Sequence, residues 1–144
     1  MSEENKAVAR RLIAEAWNGD SLDTIDELVA EDHVDHDPAQ VGSPGGRAGM
    51  RAFVEQYKTA FPDSHIAIEE MIAEGDLVVI RWRATGTHQG ELMGVHASGK
   101  PVEITGIGID RIVDGQIVES WTNWDTLGML GQIGAIPAAA GASA

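Results

Sequence analysis

The chain contains no cysteine, which excludes disulfides, thiol catalysis and thiolate metal sites together. Basic residues are also scarce. Ten Lys and Arg stand against 23 Asp and Glu, and the resulting formal charge of −13 would repel the phosphates of a nucleic acid. No apolar run approaches the ~20 residues that a membrane-spanning helix needs. The first residues, Met1-Ser-Glu-Glu-Asn-Lys, lead straight into an amphipathic pattern without the basic and then apolar segments of a secretory leader. Internal repeats and G-x-S-x-G nucleophile elbows are missing too. Gly106-Ile107-Gly108 runs on into Ile109-Asp110-Arg111 instead of opening a helix, so it reads as a bend in a curved sheet and not as a phosphate loop. These absences point to a cytoplasmic protein that engages neither nucleic acid nor membrane.

What is present is an ordinary globular composition, 43% hydrophobic and 23% charged over 144 residues, which suits a single domain over residues 1–137. Residues 138–144, Ala-rich and without a large apolar anchor, are expected to be a mobile tail. Ala9, Leu12, Ile13 and Ala16, ending at Trp17, have helical spacing over residues 4–17. Ser21 reads as the N-cap of a second helix with Leu22, Ile25, Leu28 and Val29 on its inner side, running out at the His-Asp cluster of residues 32–37. After an irregular Gly/Pro loop, Met50, Phe53, Val54 and Tyr57 mark a third helix that Pro62 ends.

From Ser64 the period changes to two. Residues 65–73, 77–88, 101–112 and 116–125 read as four strands, with tight turns at Glu74-Gly75-Asp76 and Val113-Asp114-Gly115-Gln116. Helices first and an antiparallel meander afterwards define an α+β class, with the N-terminal helices packed on one face of a curved, mostly antiparallel sheet.

Three polar clusters exceed what a core requires. At the end of the last strand, alternation places Ile117, Glu119, Trp121, Asn123 and Asp125 on one face, so that Asp125 is expected to face an apolar pocket. Desolvation there would raise its pKa and suit it to proton exchange; the alternative is that Asp125 caps a short C-terminal helix. His33-Val-Asp35-His36-Asp37 has the composition of a metal site but not the spacing, and reads instead as a loop or pocket rim, with no metal expected. In Arg81-Trp82-Arg83, alternation sets the arginines with Thr85 and Thr87 on one face, and Trp82 with His88 on the other. Such a strand lines a pocket on one side and an interface on the other, or it is a surface strand whose arginines pair with acids.

Several segments resemble the SnoaL-like polyketide cyclase (ester cyclase) family, within the nuclear-transport-factor-2-like superfamily. They are Phe61-Pro62-Asp63, Val79-Ile80-Arg81-Trp82 into Gly86-Thr87-His88-Gln89-Gly90, Gly99-Lys100-Pro101-Val102, Arg111 through Trp121, and Asp125 through Gly134. The resemblance implies a cone-shaped α+β barrel whose mouth binds a small apolar or aromatic polycarbonyl ligand, commonly in a homodimer. It also implies a cofactor-free intramolecular aldol ring closure with Asp125 as general acid/base. Asp110 departs from the pattern, at a strand position often aromatic or apolar.

On this reading Asn123 and His88 assist Asp125 by stabilising an enolate oxygen, while Trp17, Trp121 and Trp124 wall the pocket. Phe53, Tyr57, His33, His36 and Arg83 are further candidates for substrate binding. A non-catalytic small-molecule binding protein, or a hydrolase or hydratase in which Asp125 and Arg83 activate water, would use the same pocket. Trp82 and Ile80 are expected to project outward and to cover each other in a homodimer.

Overall fold

A computed structural model describes residues 2–40 and 43–137; the tail expected at 138–144 lies outside them. Helix α1 (Ser2–Leu12) has acids in its first turn and Arg10 and Arg11 in its last, which complements the helix dipole. It runs into a π-helical turn, Ile13–Trp17, closed by the Asn18 N–H donating to the Ile13 carbonyl at 2.8 Å. The Asn18 side chain pairs with Ile66, in the first sheet strand after the third helix. Its amide nitrogen donates to the Ile66 carbonyl at 2.9 Å and its amide oxygen accepts the Ile66 N–H at 2.7 Å, so the end of the turn that carries Trp17 is pinned to the sheet.

Helix α2 (Asp23–Leu28) follows, then strand β1 (Val29–His36), helix α3 (Gly46–Ala60), strands β2 (His65–Glu74), β3 (Leu77–Thr87), β4 (Pro101–Val113) and β5 (Gln116–Trp124), and helix α4 (Thr126–Gln132). The five strands form one sheet in the order β1-β5-β4-β3-β2, and β1 pairs parallel to β5 while every other neighbour is antiparallel. Thus the segment expected to be irregular after the second helix is a strand, and Val29, expected on that helix, begins it. The four expected strands appear within two residues of their expected ends. The architecture is α+β, helices laid against one face of a curved mixed sheet.

The core follows from the two periods. Ala9, Leu12 and Ala16 meet Ile25, Leu28 and Val29 from α2 and β1, Met50 and Val54 from α3, and Val78, Ile80, Ile112 and Ile117 from the sheet. A second cluster gathers Tyr57, Ala60 and Phe61 with Leu92, Val102, Ile104, Met129 and Ile133 under α4. Among the described residues no helix is long and apolar enough to cross a membrane.

One irregularity decides which residues face this core. Arg111 pairs with Glu119, but the next residue, Ile112, pairs with Ile117, so Val118 is an extra residue in β5. A bulge of this kind exchanges the faces on either side of it. Ile117 is fully buried, and beyond the bulge the inward positions are Ser120, Thr122 and Trp124. Trp121 and Asn123 point outward.

Candidate active site

The concave face of the sheet and the helices enclose a cavity of about 190 Å³. Its wall is mostly apolar. Trp17 comes from the π-helical turn, Phe53 and Tyr57 from α3, Ile80 and Trp82 from β3, and Trp124 from β5. The rings brace one another: Tyr57 lies 4.7 Å from Phe53 and meets Trp124 edge-on at 5.7 Å. Gly106 makes room for this arrangement, since a Cβ there would lie 2.3 Å from Trp82 Cζ2.

Into this apolar wall β4 inserts one carboxylate. Val102, Ile104, Gly106, Gly108, Asp110 and Ile112 share the inward parity of β4, and Asp110 is the acid among them. It pairs across β5 with Ser120, which pairs in turn with Asp35 of β1, so the three side chains form one transverse row. The Ser120 hydroxyl donates to Asp110 Oδ1 at 2.7 Å, and His33 Nε2 meets the Ser120 Oγ at 2.9 Å. Burial pushes the Asp110 carboxyl up to about 6, against the lowering by the Ser120 hydrogen bond and with the help of the Asp35 charge. Burial likewise raises Asp35, whose Oδ2 accepts from Gln40 at 2.9 Å. His33 is pushed down to about 4 by burial, with Glu119 opposing and His36 adding, so it is a neutral imidazole at pH 7. The Tyr57 hydroxyl is pushed up to about 12 by burial and then by Asp37, and it stays a neutral phenol.

Several sequence expectations are corrected here. Asp125 does not reach the cavity. It is exposed at the N-cap of α4, where its Oδ1 accepts the Gly128 N–H at 2.8 Å, so the burial on which the proton-exchange argument rested is missing. Asn123 is exposed on the outer face for the same reason of register. His88 is fully buried but lies outside the cavity lining: its ring packs 5.6 Å from Phe61, and its Nδ1 is 3.0 Å from the Ser98 hydroxyl and 3.1 Å from the Ser98 N–H. It anchors the loop after β3.

Trp121 lies on the outer face, with His36 stacked on it at 5.2 Å and the Arg111 guanidinium 5.7 Å from its ring centre. His36 also hydrogen-bonds Glu119 at 2.8 Å and is exposed, whereas His33 sits inside behind Ser120. The His-Asp cluster is therefore split between two faces by strand alternation, with Asp35 and Asp37 turned to the cavity. Arg83 is on the outer face, held by Glu69 at 2.9 Å and Glu103 at 2.6 Å, which takes it away from any water-activating role beside Asp125. Ile80 is 6% exposed and Trp82 lines the cavity, so neither is the outward face expected for a dimer. Trp17 and Trp124 line the cavity, as do Phe53 and Tyr57.

Asp110, Asp35 and Ser120 were missed as site residues. Their signal was present in part: Asp110 is the acid on a strand face otherwise made of Val, Ile and Gly. Asp35 could be read only once residues 29–36 were known to be a strand.

A cone of helices over a curved sheet with an apolar interior is the ketosteroid isomerase-like fold, and a protein with that fold from Catenulispora acidiphila superposes with a TM-score of 0.72 at 20% identity, over 88% of this chain and 92% of that one. The chain belongs to the SnoaL-like polyketide cyclase family, whose pattern matches residues 7–133. It is similar to IdmH of Streptomyces antibioticus, a candidate polyketide cyclase, with 36% identity over 90% of this chain and 98% of that one and a TM-score of 0.79. It is also similar to AclR of Streptomyces galilaeus, a candidate hydroxylase, with 32% identity over 96% and 86% of the two chains and a TM-score of 0.84. Among curated proteins none matches the chain. Family and neighbours together support a cyclase-like function.

Proposed function

We propose that this chain is a cytoplasmic, cofactor-free cyclase that closes a ring in an apolar polycarbonyl ester by an intramolecular aldol reaction, with Asp110 as the group that exchanges the proton. The observation that carries the reading is the inward-facing carboxylate of β4, Asp110, lining an apolar cavity and raised to about 6 by burial. A base of that strength is largely ionised at pH 7, yet its conjugate acid remains strong enough to return the proton. The Asp110 carboxylate removes a proton from the carbon between two carbonyls of the ligand, which delocalise the resulting carbanion. That carbon attacks a further carbonyl of the ligand, forming the C–C bond, and the alkoxide oxygen takes the proton back from Asp110. The aromatic wall holds the chain of the ligand folded while the bond forms.

Proton exchange separates this reading from a binding module before the natural substrate is identified. The wild-type protein is expected to accelerate deuterium uptake from heavy water at the α-carbon of a flat aromatic ketone such as 2-tetralone, followed by proton NMR, and Asp110→Asn is expected to remove the acceleration. A wild-type protein that binds the ketone without accelerating uptake would leave a binding module.

We further propose a homodimer formed through the outer face of the sheet. Its transverse row of Ile72, Val79, Ile109, Trp121 and His36 leaves Ile72 61% exposed, with Ile107 at 52% beside it. Large apolar groups on an outward face need cover. A species of 15.3 kDa in light scattering at micromolar concentration would end this proposal.

A further inference from the structure

The hydrogen-bonded chain behind the cavity wall has a direction. The Ser120 hydroxyl carries one proton, and Asp110 Oδ1, at 2.7 Å, receives it. With that proton committed, the contact of 2.9 Å between Ser120 Oγ and His33 Nε2 is satisfied only if the imidazole donates. His33 is therefore the Nε2–H tautomer. Its Nδ1, buried without a hydrogen-bond partner among the described residues, is the unprotonated nitrogen. The three residues sit on three adjacent strands, β1, β5 and β4, so backbone pairing holds the chain in register.

We propose that His33 and Ser120 are positioning residues for Asp110: they occupy its Oδ1, orient the carboxylate, and leave Oδ2 as the oxygen that meets the ligand. The inference rests on the assignment of Asp110 as the proton-exchanging group. Its physical basis is that a free carboxylate rotates and offers either oxygen, whereas one tethered through Oδ1 presents a single oxygen in a fixed direction. The groups that face this chain are Asp35 from β1, which adds negative charge beside Asp110, and Glu119 and His36 near His33. Glu119 favours a positive imidazole and His36 opposes one. Burial of the ring outweighs Glu119 and keeps His33 a neutral donor.

The first part of the test uses NMR on the whole chain and needs no turnover. In the wild type, the ¹⁵N shifts of His33 should show a neutral Nε2–H tautomer from pH 7 down to pH 5. The Asp110 carboxyl, followed by its ¹³Cγ shift, should titrate higher in Ser120→Ala, because the hydrogen bond that favours its ionised form is gone. Ser120→Thr, which keeps a hydroxyl, should restore the wild-type titration. His33→Phe should raise the titration by a smaller step, and His33→Gln, whose amide N–H lies near the former Nε2–H, should restore it. In the ketone exchange assay, Ser120→Ala and His33→Phe should lower kcat severalfold with KM unchanged.

A His33 found as the Nδ1–H tautomer, or an Asp110 titration unmoved by Ser120→Ala, would overturn the proposal; both hold even if His33→Phe fails to fold. The two readings fail separately. Exchange that survives Asp110→Asn removes Asp110 from the reaction while the titrations still report the chain. Exchange that depends on Asp110 alongside unmoved titrations removes only the positioning role.

Discussion

The two faces of one sheet handle charge in opposite ways. Outside, Arg81 pairs with Glu70 at 2.8 Å, Arg83 with Glu69 and Glu103, and Arg111 with both oxygens of Asp76 at 2.9 Å, all in contact with water. Inside, Asp110 and Asp35 face an apolar cavity with no arginine or lysine in its lining among the described residues, held by a serine hydroxyl and a glutamine amide. An exposed ion pair gains little, because solvent screens the attraction and both side chains must be ordered. A buried carboxylate without a cation has a raised proton affinity, which is costly for the fold and useful for proton transfer. Acid content alone therefore says nothing about chemistry here; the side of the sheet does.

The largest expected effect comes from removing the inner charge. Asp110→Asn should lower kcat for α-proton exchange by about 10²–10⁴-fold while ligand binding persists, because the amide cannot accept the proton. The wild-type rate should rise with pH through about 6 as Asp110 ionises.

The same substitution should stabilise the fold at neutral pH. Folded Asp110 keeps its proton up to about 6, against 3.8 for the unfolded chain, so rising pH across that window lowers stability. Asp110→Asn should accordingly melt higher at pH 7, by ~1–3 kcal/mol, with the gain shrinking toward pH 4. His33 works in the other direction. Unfolded it protonates near 6.5 and folded only near 4, so acidification through that window destabilises the wild type, and His33→Gln should remove that part of the acid sensitivity. Thermal melts across pH 4–7 measure both.

A smaller effect is expected at Gly106, whose added Cβ would meet Trp82 at 2.3 Å and Trp124 Cβ at 2.8 Å. Gly106→Ala should destabilise by ~1–3 kcal/mol through overpacking and weaken binding of flat ligands, as read by melting and titration. Asp125→Ala should cost ~1 kcal/mol for the lost cap and leave exchange unchanged. On the outer face, Arg83→Ala should move neither the melting temperature measurably nor the exchange rate; a large loss of rate would break the contrast between the faces.

Much of the architecture was legible because it is local. Period 3.6 placed the helices, with Phe53 and Tyr57 on the inner side of the third, and period 2 and Asp-Gly turns placed the four long strands. Strand parity misled at Asp125. The alternation beyond the bulge was read correctly, with Trp121, Asn123 and Asp125 opposite Trp124, but Ile117 was carried across Val118 as though the strand were regular. One extra residue reversed the face, and with it the choice of carboxylate.

By itself, then, the sequence determined the elements, the α+β class, the family and the supply of acids, since each depends on the chemistry of neighbouring residues or on short patterns. Tertiary structure alone decided that residues 29–36 form a strand parallel to β5, a pairing between segments about 85 residues apart that has no local signature. It also decided which acid is buried. Burial is a property of a closed surface, and Asp110 acquires its raised proton affinity only when the sheet and the helices over it shut water away from a side chain that the sequence shows as one acid among 23.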